Sequence, residues 1–246
     1  ICCEGAKNFS ERYAQEAREL AEEEEDELRK EELLEIASIC DRVPYEPAES
    51  FREAIQSVWF QHMMYMIAEN YPGPGTSLGR IDQYLYPYFE SDVLNGEMTK
   101  KEAKEFVQSW FLKHNYAYDS QPSLGREGRH AGDGQLFTVG GCDKEGEDAV
   151  NELTHLFIDA YYENNMLEPK MNVRVNSSNS DEFLKKLAKL TIESEGSPFI
   201  TQFDNVVIDA LKKEGLDHEE VLDYAPIGCL ETTINGSEGG TVDVHF

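Results

Sequence analysis

The chain is short of positive charge and lacks the common motifs that assign a chemistry at once. Its 246 residues carry 22 Lys and Arg against 49 Asp and Glu, a formal net charge of -27. That balance argues against nucleic acid or an anionic membrane surface as a partner. No apolar run approaches the ~18 residues of a membrane span, and no basic segment followed by an apolar stretch opens the chain. The expected location is therefore the cytoplasm. The five cysteines, Cys2, Cys3, Cys40, Cys142 and Cys229, are odd in number and form no CxxC pair. They read as reduced thiols rather than a disulfide framework or a zinc site. The histidines make no HxxxH or HExxH pattern, and the acidic run at 22–27 lacks the alternating ligands and central Gly of a calcium loop. No metal is expected. The Gly/Pro loop at 72–79 lacks the spacing and Lys of a phosphate loop, and Gly140-Gly141 is no dinucleotide fingerprint. Both ends, at Ile1 and Phe246, read as cut from something larger.

What is present alternates helices with strands, which predicts an α/β fold rich in helix, forming one domain or part of one. Apolar residues Leu20, Leu28, Leu33, Leu34, Ile36 and Ile39 recur near helical spacing and predict one or two long helices over 6–42, with the acidic run on an exposed face. Further helices are expected at 49–69, 100–115, 147–164, 181–194 and 204–213, with a short one opened by Asp217. Strands are expected at 135–141, 171–175 and 199–203. His62 and His155 read as core histidines.

The most informative stretch is Tyr224-Ala225-Pro226-Ile227-Gly228-Cys229-Leu230-Glu231. In extended backbone, positions i and i+2 face the same side, so Cys229 and Glu231 would share one small volume. Taken alone, Cys-x-Glu reads first as a buried, inert thiol and a surface carboxylate. A nucleophilic thiolate wants a His or helix N-terminus to lower its pKa, and no His follows until His245. A hydrogen-transferring thiol beside a base fits the local sequence better. Ser77 and Arg80, at the end of the Gly/Pro loop, are either a tight connection or a pocket wall.

The ordered segments resemble the glycyl radical enzymes, in their pyruvate formate-lyase-like domain. The resemblance rests on Cys40-Asp41-Arg42-Val43-Pro44, Gly79-Arg80-Ile81-Asp82-Gln83-Tyr84-Leu85-Tyr86-Pro87, Val139-Gly140-Gly141, Val173-Arg174-Val175 and Asp223-Tyr224 through Glu231, all in family order along nearly the whole chain. It implies part of a ten-stranded α/β barrel surrounded by helices, with the Cys loop inside. It also implies a lyase in which Cys229 relays a radical and Glu231 is the general base. Asp243, fourteen residues after Cys229, matches a substrate-contacting Asp of the diol dehydratases; Ser77 and Arg80 are the other candidate contacts. The implied cofactor is a glycyl radical, installed by a radical S-adenosylmethionine activating enzyme in an anaerobic organism. The implied partners are that activase, a small-molecule substrate and a second copy of the full-length protein.

Gly228 precedes a lone Cys229 where pyruvate formate-lyase carries two cysteines, which turns the expectation away from acyl transfer and towards dehydration, decarboxylation or another lyase reaction. Pro74-Gly75 stands where the diol dehydratases carry a His-Ser-like pair, which points away from glycerol. The family's glycine loop, roughly R-V-x-G-Y, is not found in residues 1–246. The chain is thus expected to be an interior piece, 1–246 of a pyruvate formate-lyase-like domain, inactive by itself. A truncated or split-gene product that only binds a partner chain, and a thiolate-dependent hydrolase or transferase using Cys229, are the competing readings.

Overall fold

The computed structural model describes residues 1–68, 76–119, 135–166, 168–194, 200–227 and 231–236, and it divides into two compact units. The first unit comprises Ile1–Tyr71 and Tyr88–Thr99; the second comprises Pro72–Pro87 and Lys100–Phe246.

The first unit is helical. Helices α1 (Cys2–Glu23) and α2 (Glu27–Arg42) pack against each other, followed by α3 (Phe51–Ala68). The acidic run lies at the break between α1 and α2 rather than along one helix face. Glu24 accepts from the backbone N–H of Glu25 and Asp26, and Asp26 caps α2 by accepting from Arg29 N at 2.9 Å. Carboxylates at a helix start satisfy free N–H groups and suit the dipole, so the acids end one helix and begin the next. The expected leucine stripe is also corrected, because Leu20, Leu28 and Leu34 are exposed. The buried face of α1 is Ser10, Ala14, Ala17 and Ala21, facing a cluster with Ala37, Cys40 and Phe60. Small side chains let helix backbones approach closely, and a leucine count overlooks them. Phe51 N, at the start of α3, donates to the buried Asp92 carboxylate at 2.8 Å.

The second unit is built on a four-stranded parallel sheet in the order β1-β2-β3-β4. Strand β1 (Thr76–Arg80) leads into α4 (Ile81–Tyr84); α5 (Tyr86–Leu94) then crosses the unit boundary. Next come α6 (Lys100–Asp119), β2 (Gln135–Gly140), α7 (Glu152–Asn164), β3 (Lys170–Val175), α8 (Asp181–Glu193) and β4 (Ile200–Phe203). Helices between parallel strands cover the sheet, so β2 is buried at every position. Phe137 turns to the helices and meets the rings of Trp110, Phe111, Phe157 and Tyr161 at 5.4–6.0 Å. Alternation sends Thr138 to the opposite face, in register with Asn172 of β3. α7 starts at Glu152, later than the pattern suggested, because Asn151 and Thr154 form a reciprocal cap.

After β4 come α9 (Asp204–Lys213), α10 (His218–Leu222), β5 (Tyr224–Ile227) and β6 (Glu231–Ile234). β5 and β6 form a separate antiparallel pair, with Tyr224 opposite Ile234 and Ile227 opposite Glu231. β1 and β6 were not legible as strands, since each is four or five residues long and neither shows a clean period of two.

Candidate active site

The strongest segment of the sequence resemblance, Gly79 to Tyr84, makes structural ties with nearly every polar side chain it has. Arg80 is buried, and its terminal nitrogens donate to the carbonyls of Gly140 (3.2 Å), Cys142 (2.7 Å) and Leu222 (3.4 Å) and to the Asp223 carboxylate (3.1 Å). It therefore links the end of β2 to the start of β5. Asp82, fully buried, accepts from Gly140 N at 2.8 Å and from Thr154 Oγ1 at 2.5 Å. Burial pushes its carboxyl above the ordinary carboxylate range, against those hydrogen bonds and the Arg80 charge. Gln83 donates to Ala149 O at 3.0 Å, which fixes the approach to α7.

A second buried cluster ties the next strand to the same hairpin. Arg174 of β3 and Asp204 at the start of α9 form a bidentate ion pair at 2.8 and 3.1 Å, with both side chains at 0% exposure. Arg174 also donates to the carbonyls of Tyr224 (2.9 Å) and Leu222 (3.0 Å), and its guanidinium carbon lies 4.0 Å from the Tyr224 ring centre. The Tyr224 hydroxyl donates to Asp204 Oδ1 at 2.8 Å, and Cys142 N donates to Asp204 Oδ2 at 2.8 Å. Burial works to raise the Asp204 pKa, but the hydrogen bond and charge of Arg174, with the Tyr224 and Cys142 bonds, outweigh it and hold the carboxyl below its usual range. Burial, with the Asp204 charge second, pushes the Cys142 thiol up to about 11.

Gly140 and Gly141, both at positive φ, make room for this cluster. A Cβ on Gly141 would lie 2.7 Å from Arg174 Nε, and one on Gly140 would lie 2.8 Å from Arg174 O. One signal of the cluster was overlooked: a charged residue, Arg174, inside Met171-Asn172-Val173-Arg174-Val175, a segment that reads as a short strand.

Through these ties the β5–β6 pair lies over the sheet face opposite the helices, packed against β1 and β2. Gln202 of β4 adds a weaker link, its Nε2 donating to Thr232 Oγ1 at 3.5 Å. Cys229 and Asp243 lie outside the described residues, as do Pro74 and Gly75. The residues on either side of 228–230, Ile227 and Glu231, are paired strand positions, and Glu231 is half-buried at the start of β6. Ser77 lines an open cleft of about 490 Å³ with Leu78, Gly79, Tyr84, Asp223 and Asn235. Its hydroxyl accepts from Gly79 N at 3.3 Å. Arg80 borders the same cleft, with both terminal nitrogens already hydrogen-bonded to protein. Among the described residues, no group of three His, Cys, Asp or Glu side chains could hold a metal ion, and no helix is long and apolar enough to cross a membrane.

The chain matches the pyruvate formate lyase-like family model over residues 1–246 and belongs to that family. Among solved structures it is similar to a glycyl radical enzyme from Archaeoglobus fulgidus, with a TM-score of 0.83 and 37% identity over 95% of this chain and 30% of that one. It is also similar to the glycerol-bound form of the B12-independent glycerol dehydratase from Clostridium butyricum, with a TM-score of 0.84 and 37% identity over 95% of this chain and 29% of that one. Among curated proteins it is 31% identical to trans-4-hydroxy-L-proline dehydratase of Clostridioides difficile, over 97% of this chain and 30% of that protein. The chain thus spans about 30% of the length of such relatives. Its helix-rich α/β architecture with a parallel sheet is part of the glycyl radical enzyme fold.

Proposed function

We propose that this chain is a segment of a glycyl radical lyase of the dehydratase or decarboxylase type, cleaving a carbon–heteroatom or carbon–carbon bond of a small organic substrate. The observation that carries the reading is the β5–β6 pair, which joins Ile227 to Glu231 and is tied to the sheet by Arg80 and Arg174. Cys229 falls in the three residues between those paired ends, so both of its flanks are fixed. The relatives named above support the class.

The glycyl radical, supplied by a part of the full-length protein beyond these residues and installed by a radical S-adenosylmethionine activase, provides the hydrogen-abstracting equivalent. Cys229 gives up its S–H hydrogen and then, as a thiyl, takes one hydrogen atom from a substrate carbon. Glu231 accepts the proton of a group on the neighbouring carbon while the adjacent bond breaks, and that proton is then released with the departing group. The product radical then recovers a hydrogen atom from the Cys229 thiol, and the resulting thiyl would regain its hydrogen from the glycine, which restores the starting state. Asp243 contacts substrate, Ser77 forms a wall, and Arg80 positions the hairpin rather than the substrate. The full-length protein works as a homodimer in an anaerobic cytoplasm.

The test uses the full-length protein, activated anaerobically. A glycyl electron paramagnetic signal and turnover are expected. Cys229→Ser should keep the signal and lose turnover, and Glu231→Gln should lose about 10²–10⁴ in rate. Turnover by Cys229→Ser equal to the parent would sink the reading.

A further inference from the structure

The terminal nitrogens of the two arginines beneath the hairpin are all hydrogen-bonded, whereas Arg80 Nε and the sheet position next to them have no partner among the described residues. Thr138 of β2 and Asn172 of β3 are register partners, both at 0% exposure. They share the sheet face that carries Arg174 and Gln202 and that the β5–β6 pair covers. Thr138 Oγ1, Asn172 Oδ1 and Asn172 Nδ2 have no hydrogen-bond partner among the described residues, and neither does Gln202 Oε1 on the next strand. Buried polar atoms are nearly always satisfied, because leaving one bare costs on the order of 1–3 kcal/mol. Three such atoms on two adjacent side chains, beside a cluster in which Arg174, Asp204 and Tyr224 are all paired, do not fit a site built for packing alone.

We propose that Thr138 and Asn172 form a hydroxyl-recognising subsite of the substrate pocket; this rests on the lyase reading above. The chemistry of the pair sets the class. A carboxamide presents one acceptor and a two-hydrogen donor, and a threonine hydroxyl both donates and accepts. A neutral alcohol group can donate to Asn172 Oδ1 while accepting from Asn172 Nδ2 or Thr138 Oγ1. A carboxylate or sulfonate only accepts and would leave Asn172 Oδ1 bare. The neighbouring cations offer an anion little, since the terminal nitrogens of Arg80 and Arg174 are already given to protein oxygens and only Arg80 Nε lacks a partner among the described residues. A water molecule has the same donor–acceptor chemistry, so the experiment must separate the two sources.

The probes are glycerol and trans-4-hydroxy-L-proline, each offered to the full-length protein in a high-resolution crystal structure and in anaerobic turnover. A probe hydroxyl oxygen within hydrogen-bond distance of both Thr138 Oγ1 and the Asn172 amide supports the subsite. The same position filled by water or by a protein group with both probes present overturns it. In kinetics with whichever probe turns over, Thr138→Val should raise KM about three- to tenfold, the worth of one neutral hydrogen bond. The change in kcat should be smaller, Thr138→Ser should restore the parent value, and the thermal midpoint should not fall. An unchanged KM in Thr138→Val overturns the proposal. The glycyl signal and the Cys229→Ser result are read separately, so failure of the lyase reading does not mask the crystallographic answer.

Discussion

Both units carry ion pairs on their surfaces, such as Lys100 with Glu152 and Lys101 with Glu105 in the second, but among the described residues the second also buries an ion pair. In the first, ion pairs lie on the surface: Arg18 with Asp41, Arg29 with Glu32 and Arg52 with Glu35, with at least one half-exposed partner each. In the second, Arg174 and Asp204 meet with no exposure at all, and Arg80 is buried among four protein oxygens. Exposed pairs contribute little, because water already solvates both partners. A buried pair is different, since removing one partner strands the other in low dielectric. The contrast shows which charges the fold uses to fix geometry. They surround the hairpin flanking Cys229, while the surface acids chiefly keep the chain soluble.

The sharpest way to break this comparison is Arg174→Met. It leaves Asp204 buried without its cation and should cost about 3–5 kcal/mol in urea denaturation. A loss below about 1 kcal/mol would mean that the cluster is not the anchor described. Gly141→Ala comes next. Its φ of +87 disfavours any side chain, and the added Cβ would lie 2.9 Å from Arg174 Cβ. An expected cost of about 2–3 kcal/mol should appear as a lower urea midpoint at an unchanged slope. Tyr224→Phe removes only the hydroxyl that donates to Asp204, so about 1.5–2 kcal/mol should be lost by the same measurement.

A pH series sharpens the comparison within the second unit, because its two buried carboxylates are shifted in opposite directions. The Asp204 pKa is depressed in the fold. Its stabilisation is complete above the ordinary Asp value of ~4 and is lost as pH falls through the lower folded value. The Asp82 pKa is raised, so its ionised form costs stability at neutral pH, and that cost vanishes as pH falls through the raised value. Asp82 Oδ1 has no partner among the described residues and can take the proton without breaking the bonds to Oδ2. Stability of the parent relative to Asp82→Asn should therefore climb on acidification and level off below pH ~4. A flat difference would show that burial does not control this group.

The smallest effect belongs to the first unit. Asp41→Asn breaks an exposed pair with Arg18 and should change stability by no more than about 0.5 kcal/mol, an amount that shrinks further in salt. A cost near that of Arg174→Met would erase the distinction between the units.

Much of the helical order was legible in the chain. Pro44 and Pro47 punctuate the end of α2, and Asp217 caps α10 by accepting from Glu219 N at 2.8 Å. The central strands β2 and β3 were legible from short stretches rich in Val, Phe, Leu and Met, β2 being closed by Gly140-Gly141. The alanine face of α1 was missed because burial by close approach leaves no large apolar residue to count. The late start of α7 was missed because Asn151 and Thr154 cap each other, a local competition that hydrophobic spacing does not register.

For the candidate site, the sequence by itself determined the thiol, the carboxylate two residues on, and the conspicuous Gly79-Arg80-Ile81-Asp82-Gln83 segment, since residue types and spacings are properties of the chain. It could not say what that segment does. Only tertiary structure brings Arg80 to Leu222, 142 residues away, and Arg174 to Tyr224, 50 residues away. It also decides that Arg80 holds a hairpin and that Thr138 and Asn172 stand side by side with polar atoms that have no partner among the described residues. The physical reason is that a side chain's role follows from who desolvates it and who satisfies it. Those neighbours are chosen by the packing of strands and helices far apart in the chain.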